Sequence, residues 1–317
     1  MAGKSDSLLY ALRRARLTGS GKTITNNKKS AELFVRVLRE LGYGVQKWTN
    51  LTNRHVADAV QYWQDQDLSP GTIKNYVAGI RSVCRAYGND TIHQDNAAFG
   101  MERRVYVSNR DKSLAQDVYT QAVATLRAST SEDRQRMALL LEFQRTFGMR
   151  VEESMKFNPI RDDEGERVHI HRGTKGGRPR WCPVLTDGQR NLLDRARSSG
   201  FYSSPAATII PKNHSERTWR NTVYGLAHDL GLTKAQSGAT MHGLRHAYAH
   251  ERYEGLTGFK PPVLFSAKDD YIAQAQVVSG DTWRDRDQLA RAVIREELGH
   301  SPDRADIDGQ YLGSAVK

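Results

Sequence analysis

The sequence predicts a mainly α-helical chain of two domains, with one small β-hairpin in the second: an α+β fold in which helix dominates. Three observations carry this reading. At 317 residues the chain is long enough to bury two cores of ordinary size. Apolar residues recur every three or four positions through much of its length, which lines one face of a helix. Between Arg167 and Leu185 the pattern changes to alternation, the mark of paired strands.

The elements follow in order. Residues 1 to 29 hold seven Lys/Arg and a single acid, Asp6, on a short helical pattern that decays into Thr18-Gly19-Ser20-Gly21-Lys22-Thr23, and they read as a basic N-terminal arm. That string is similar to the end of a phosphate-binding loop. The first glycine of such a loop would fall at Arg16, however, and no apolar strand precedes it. Three helical stripes follow over residues 30 to 88: Phe34, Leu38 and Leu41; Val56, Val60 and Trp63; then Ile73, Val77, Ile80, Cys84 and Tyr87. Ser69-Pro70-Gly71 opens the third, with proline near the first helical position. Lys74, Arg81 and Arg85 dot its polar side, so this helical domain is a candidate DNA-binding surface, against the alternative of a plain bundle with a solvated face. Periodicity lapses over residues 89 to 112, read as a linker, where Arg103 and Arg104 add further candidate DNA contacts.

Residues 113 to 317 form the second domain. Val118, Ala122 and Leu126 mark one helix, and Met137, Leu140 and Leu141 a second that Gly148 breaks. Arg150 then stands at the start of a new helix, where free backbone N–H groups favour an anion. Gly173-Thr174-Lys175-Gly176-Gly177 turns the hairpin, with Lys175 at its tip. Thr186 and Gln189 form a capping box ahead of Leu192 and Leu193, and Trp219, Val223, Leu226 and Leu230 line a further helix. Residues 255 to 285 have weak periodicity and many charges. Leu289, Val293, Ile294 and Leu298 then restore a helix that ends at Gly299.

The formal net charge of +11 points to a polyanionic partner, most often nucleic acid. Residues 1 to 112 carry 18 Lys/Arg against 10 Asp/Glu and the remainder 29 against 26, so the excess lies mostly in the N-terminal third. No apolar run is long enough for a membrane span, and no secretory signal is evident. Only Cys84 and Cys182 are present, without metal-ligand spacing, which excludes a disulfide framework or zinc finger and fits a reducing, cytoplasmic setting.

One motif concentrates the chemistry. On a helix His242, Arg245, His246 and Ala249 share a face, while Leu244, Ala247 and Tyr248 fall roughly opposite. Arginine offers a planar fork for phosphate oxygens, and histidine exchanges protons near neutrality. His242, His246 and His250 also recur every four residues. Their drift around the helix and the lack of a completing Cys or acidic pair argue against a metal, and none is expected.

Taken in order, Arg150, hairpin Lys175, His242-x-x-Arg245-His246, Leu298-Gly299-His300 and Tyr311 resemble the tyrosine recombinase (integrase) family. The motifs span residues 113 to 317, and the basic helical region matches that family's core-binding domain by position and pattern. The interval from Arg245 to His300 is longer than usual for the family, marking residues 255 to 285 as an insertion. The resemblance implies a two-domain recombinase that cuts and rejoins double-stranded DNA through a 3′-phosphotyrosine. It would act as a homotetramer on two duplexes, with accessory bending or directionality proteins as further partners, and localise with the nucleoid when bound.

Tyr311 would be the nucleophile by that resemblance; Tyr253 and Tyr271 are rivals that do not follow the Gly-His motif. Arg150 and Arg245 would clamp the phosphate oxygens and His300 would add a hydrogen bond. His242 would handle protons near the nucleophile, and Lys175 would protonate the 5′ leaving oxygen. Glu153 and His246 would support them. An ordinary tyrosine is about one part in a thousand ionised at pH 7, so such help is needed. Exchange of one phosphodiester for another retains its energy, so no ATP or other cofactor is expected. Three other readings remain at this stage: a non-catalytic architectural DNA-binding protein, a type IB topoisomerase-like enzyme, and a metal-dependent nuclease.

Overall fold

In a computed structural model the described residues are 7–102, 107 and 109–315. They form two compact units that divide between Val105 and Tyr106. The first contains α1 (Ser7–Arg14), α2 (Gly21–Glu40), α3 (Asn53–Asp65) and α4 (Pro70–Ala86). Phe34, Leu38, Val56, Val60, Ile73, Val77 and Ile80 are buried together, as the three stripes predict. Ser69 caps α4 by accepting the Thr72 N–H at 3.3 Å, and Pro70 takes the first helical position, where its missing N–H costs nothing. α2 and α4 cross closely: a Cβ on Gly79 would lie 2.7 Å from the Ser30 Cβ.

Two boundaries differ from those read in the sequence. Residues 7–29 are mostly helix rather than an arm: α1 buries Leu8 and Leu12, the Trp48 indole donates to the Leu8 carbonyl at 3.1 Å, and Tyr87 donates to the Ala11 carbonyl at 2.6 Å. The Gly-Ser-Gly-Lys-Thr string is a helix start, with the Ser20 hydroxyl capping the Thr23 N–H. Nor is the segment after Gly88 a linker throughout. Ile92, Phe99 and Met101 are buried in the same core, and the Asn89 amide donates to the Trp48 and Leu51 carbonyls. In both stretches a few well-placed apolar and amide side chains outweigh a polar composition.

The second unit contains α5 (Gln116–Arg127), α6 (Glu132–Phe147), α7 (Val151–Lys156), β1 (Arg167–Ile170), β2 (Arg180–Pro183), α8 (Asp187–Ser198), α9 (Glu216–Asp229) and α10 (Lys234–Ser237). α11 (His242–Thr257), α12 (Lys268–Ser279), α13 (Trp283–Glu297) and α14 (Asp308–Leu312) complete it. α6 is buried on nearly every side, as a central helix must be. Leu126, Met137, Leu140, Phe143, Trp219 and Leu244 belong to the core around it, and Tyr253, Tyr271, Trp283, Ile294 and Leu298 to a second cluster around α13. β1 and β2 pair antiparallel with Val168 opposite Cys182 and Ile170 opposite Arg180. Thr186 and Gln189 form the expected capping box at α8.

Residues 255 to 285 hold a real helix, α12, whose pattern is weak because it buries little beyond Tyr271 and Ala275. On α13, Leu289 is exposed rather than part of the buried stripe. Among the described residues no helix is long and apolar enough to cross a membrane.

Candidate active site

The site begins at the end of α6. Gly148 takes a left-handed conformation (φ 57°) that ends the helix, and a Cβ there would lie 2.6 Å from the Tyr248 ring, so only glycine fits. Its carbonyl accepts from two buried arginines, Arg245 of α11 at 2.5 Å and Arg180 of β2 at 3.1 Å. The chain then re-enters helix at α7 with Arg150 at its N-cap. Glu153, one turn on, is wholly buried. Its carboxylate accepts the Arg150 backbone N–H at 2.8 Å, the Arg150 guanidinium at 2.6 Å and the Arg180 guanidinium at 2.7 Å, and lies 3.8 Å from Arg245. Burial alone would raise the Glu153 pKa, but Arg180, Arg245 and Arg150 outweigh it and hold the carboxyl at about 2.

α11 supplies the next layer. Arg245 is fully buried, donating to Gly148, to the Leu298 carbonyl and through Nε to the Tyr311 hydroxyl at 3.1 Å. Its terminal nitrogen lies 3.4 Å from His300 Nε2. Tyr311, on α14, is buried beneath the His246 ring, with centroids 4.6 Å apart, and has His300 at 6.0 Å and His242 at 6.2 Å. Gly243 is needed between His242 and Leu244 because the chain passes against it: the Leu114 N–H donates to its carbonyl at 3.2 Å, and a Cβ would lie 2.7 Å from the Lys112 carbonyl oxygen.

The histidines are held neutral. Burial, then His242 and His250, lower His246 to about 3. Burial followed by the Arg245, Arg150 and Arg180 charges lowers His300 to about 3. His242 keeps an exposed edge, yet the protein packed around its ring and the Arg245 and Arg150 guanidiniums hold it at about 4. At neutral pH each ring offers one N–H donor and one acceptor nitrogen.

Five of the six residues singled out in the sequence as catalytic candidates thus converge: Arg150, His242, Arg245, His300 and Tyr311. Lys175 does not join them. It stands exposed on the turn between β1 and β2, with no hydrogen bond or ion pair to the cluster among the described residues. Tyr253 and Tyr271, the rival nucleophiles, are buried elsewhere and share the Asp287 carboxylate, at 2.5 and 3.2 Å. Burial pushes the Tyr271 phenol up to about 12, and that of Tyr253 higher. Among the described residues no group of His, Cys, Asp or Glu is arranged to hold a metal.

Three contributors escaped the sequence reading. Arg180 is buried where it braces Glu153, Gly148 and the Glu297 carbonyl. Its signal was its register: in an alternating strand it shares the inward face with Cys182. His250 donates from Nε2 to the Tyr311 carbonyl at 2.8 Å. Glu297 accepts the Tyr248 hydroxyl at 2.7 Å and Arg252 at 2.9 Å, fixing α13 to α11.

In the first unit Arg81, expected on a DNA-facing side, is used internally. It donates to the His93 carbonyl at 2.7 Å and the Asn96 side chain at 2.8 Å, binding the loop after α4 to that helix. Arg85 is exposed, 3.3 Å from Gln94 and 3.7 Å from Asp90, and Lys74 is half-buried on α4. Arg103 and Arg104 lie outside the described residues.

Comparison with known proteins gives two family matches, "Phage integrase, N-terminal" over residues 6–93 and "Integrase" over residues 104–251. The second ends before His300 and Tyr311, whose relation to the cluster rests on geometry. No curated protein matches the chain. Among solved structures, lambda integrase bound to DNA is similar at 17% identity and a TM-score of 0.59, covering 96% of each chain. The Tn1549 transposon integrase with transposon right end DNA is similar at 13% identity and 0.58, covering 96% of this chain and 94% of that one. The XerH site-specific recombinase on a palindromic difH substrate is similar at 17% and 0.57, covering 96% and 80%. These likenesses are of fold.

Proposed function

The chain belongs to the tyrosine recombinase family of phage-type integrases, and from that premise we propose that it is a site-specific recombinase acting on duplex DNA through a 3′-phosphotyrosine intermediate. The observation that carries the proposal is the buried Tyr311 hydroxyl, 3.1 Å from Arg245 Nε, with the rings of His242, His246 and His300 grouped around its own ring.

The chemistry follows from that grouping. Tyr311 Oη attacks the phosphorus and its proton passes to His242, which is neutral and so able to accept it. The bond from phosphorus to O5′ breaks, and the leaving oxygen takes a proton from Lys175, giving a 3′-phosphotyrosine and a free 5′-hydroxyl. Arg150 and Arg245 hold the non-bridging oxygens and His300 donates a third hydrogen bond, matching charge that grows in the transition state. Glu153 orients the two arginines, and His246 shelves the phenol ring. Lys175 reaches the leaving group only by movement of its turn, which DNA contact would drive. Reversal with the 5′-hydroxyl of another strand completes the exchange, so the reading requires two sites held together. A homotetramer on two duplexes meets that need, and a lambda integrase tetramer bound to a Holliday junction is among the similar structures. The basic first unit, through Lys74, Arg85, Arg103 and Arg104, would contribute phosphate contacts, and integration or excision of a mobile element is the role that fits the family.

The test is covalent trapping. Nicked duplexes randomised over the central sequence are incubated with the full chain, and DNA that becomes inseparable from protein in detergent is recovered and its junction mapped. An adduct at a 3′-phosphate, abolished by Tyr311→Phe, supports the reading. An adduct that survives Tyr311→Phe, or none from any sequence, overturns it.

A further inference from the structure

The short helix that carries Tyr311 is held by a part of the chain far from it in sequence. Asn109 lies where the chain enters the second unit. Its side-chain amide donates to the Ser314 carbonyl at 2.9 Å, and its side-chain oxygen accepts the Ser314 N–H at 2.8 Å. These two bonds close a ring between the entry segment and the residues just after Tyr311. The backbone at Asn109 is left-handed (φ 45°), a conformation that asparagine tolerates better than most side chains. On the other flank, Gly309 packs so tightly against Val107 that a Cβ would lie 2.5 Å from its methyl carbon. Gly313, also left-handed (φ 75°), packs against the Asn109 side-chain oxygen and the Val263 backbone, while its carbonyl accepts Arg291 at 3.0 Å. From α11, buried His250 donates to the carbonyl of Tyr311 itself and stands 4.0 Å from Asp111 in the same entry segment.

α14 is only five residues long, too short to be stable on its own propensity. Its position is set by what touches it: Arg295 holds Asp308 at its start and Arg291 the Gly313 carbonyl after its end, while the main chain at Tyr311 and Ser314 is held by His250 and by Asn109 of the entry segment. We propose that Asn109 and His250 are positioning residues: they clamp α14 between the entry segment and α11 so that the Tyr311 hydroxyl meets Arg245. This deepens the reading of Tyr311 as nucleophile and rests on it. The clamp uses the Tyr311 carbonyl and both the carbonyl and the N–H of Ser314, so it fixes the main chain and leaves the phenol itself free to react.

Four forms of the full chain test the clamp: wild type, Asn109→Gly, His250→Ala and His250→Gln. Glycine removes the Asn109 side chain without straining its left-handed backbone, and glutamine keeps an N–H donor near the position of His250 Nε2. Without DNA, hydrogen–deuterium exchange of the peptide covering residues 308–314 is compared with that of α6. The expected result is exchange about tenfold faster or more in 308–314 for Asn109→Gly and His250→Ala, little change for His250→Gln, and unchanged protection in α6. Unchanged exchange in 308–314, or equal acceleration throughout the unit, overturns the clamp. With the nicked duplex recovered by trapping, adduct formation is expected to slow by about 10-fold to 100-fold in the two disrupting variants and to be restored by His250→Gln. Wild-type rates in Asn109→Gly and His250→Ala overturn the positioning role. If wild type itself gives no adduct, the nucleophile reading fails, while the exchange data still decide the clamp.

Discussion

Replacing Glu153 with glutamine should destabilise the second unit by about 3 kcal/mol at pH 7, and two separate routes lead to that figure. The carboxylate is wholly buried and accepts guanidinium hydrogen bonds from Arg150 and Arg180 at 2.6 and 2.7 Å. Bonds to charged groups contribute about 1.5 to 3 kcal/mol each, and breaking a buried pair costs about 3 to 5. Independently, a carboxyl held at about 2 instead of 4.5 is worth about 3 kcal/mol at neutral pH. The sign follows from the direction of the shift. Because the folded value is depressed, this stability is present above about pH 4.5 and is lost as pH falls towards 2, where the protonated acid and the amide become alike. Urea unfolding between pH 2 and 7, read through hydrogen exchange of the α6 amides, reports the second unit by itself. The wild type and Glu153→Gln should differ by about 3 kcal/mol at pH 7 and converge near pH 2. A gap below 1 kcal/mol at neutral pH, or one that stays constant on acidification, would refute the reasoning.

Three further outcomes are expected. Lys175→Ala should slow adduct formation on ordinary DNA by about 10²-fold to 10⁴-fold, but far less on DNA whose 5′ bridging oxygen is sulfur, since a thiolate leaves without a proton; equal slowing on both substrates would remove Lys175 from the leaving-group step. Tyr271→Phe should cost about 1 kcal/mol through its lost contacts with Asp287 and Tyr253 and leave adduct formation intact; loss of the adduct in a folded variant would reopen the choice of nucleophile. NMR titration of the imidazoles should find His242, His246 and His300 still neutral at pH 6, titrating near 4, 3 and 3. Their folded values lie below the ordinary 6.5, so their contribution is complete above that pH and lost as the solution acidifies; titration of any of the three above pH 6 would contradict the geometry.

The parts of the fold that were legible in the sequence had strong local causes. A helix broken by Gly148, a capping box at Thr186 and a strand pattern interrupted by Gly173 to Gly177 each declare themselves within a few residues. The His242 to His246 motif was legible because a helix turns at a fixed angle. Arg180 was not, since a lone arginine in a strand reads as solvent-exposed until its partner Glu153 is known to be buried opposite. Arg81 misled for the converse reason: its loop acceptors at His93 and Asn96 are twelve and fifteen residues away. Charge counting also hid the packing of α1 into the core, for which Leu8 and Leu12, one turn apart, were the better guide. The clamp on α14 joins residues 205 apart and leaves no local pattern at all.

The arrangement around Gly148 has a consequence for the resting protein. Arg150, Arg180 and Arg245 gather about one carboxylate, Glu153, so the cluster carries two positive charges beyond what its acid cancels. The carbonyls of Gly148, Glu297 and Leu298 supply only partial charge in return. Like charges crowded in a poorly solvated space repel, and here the fold restrains them by packing rather than by neutralisation. If Arg150 and Arg245 hold a phosphate as proposed, its charge would remove repulsion as well as make bonds, and binding would stabilise the core around Glu153.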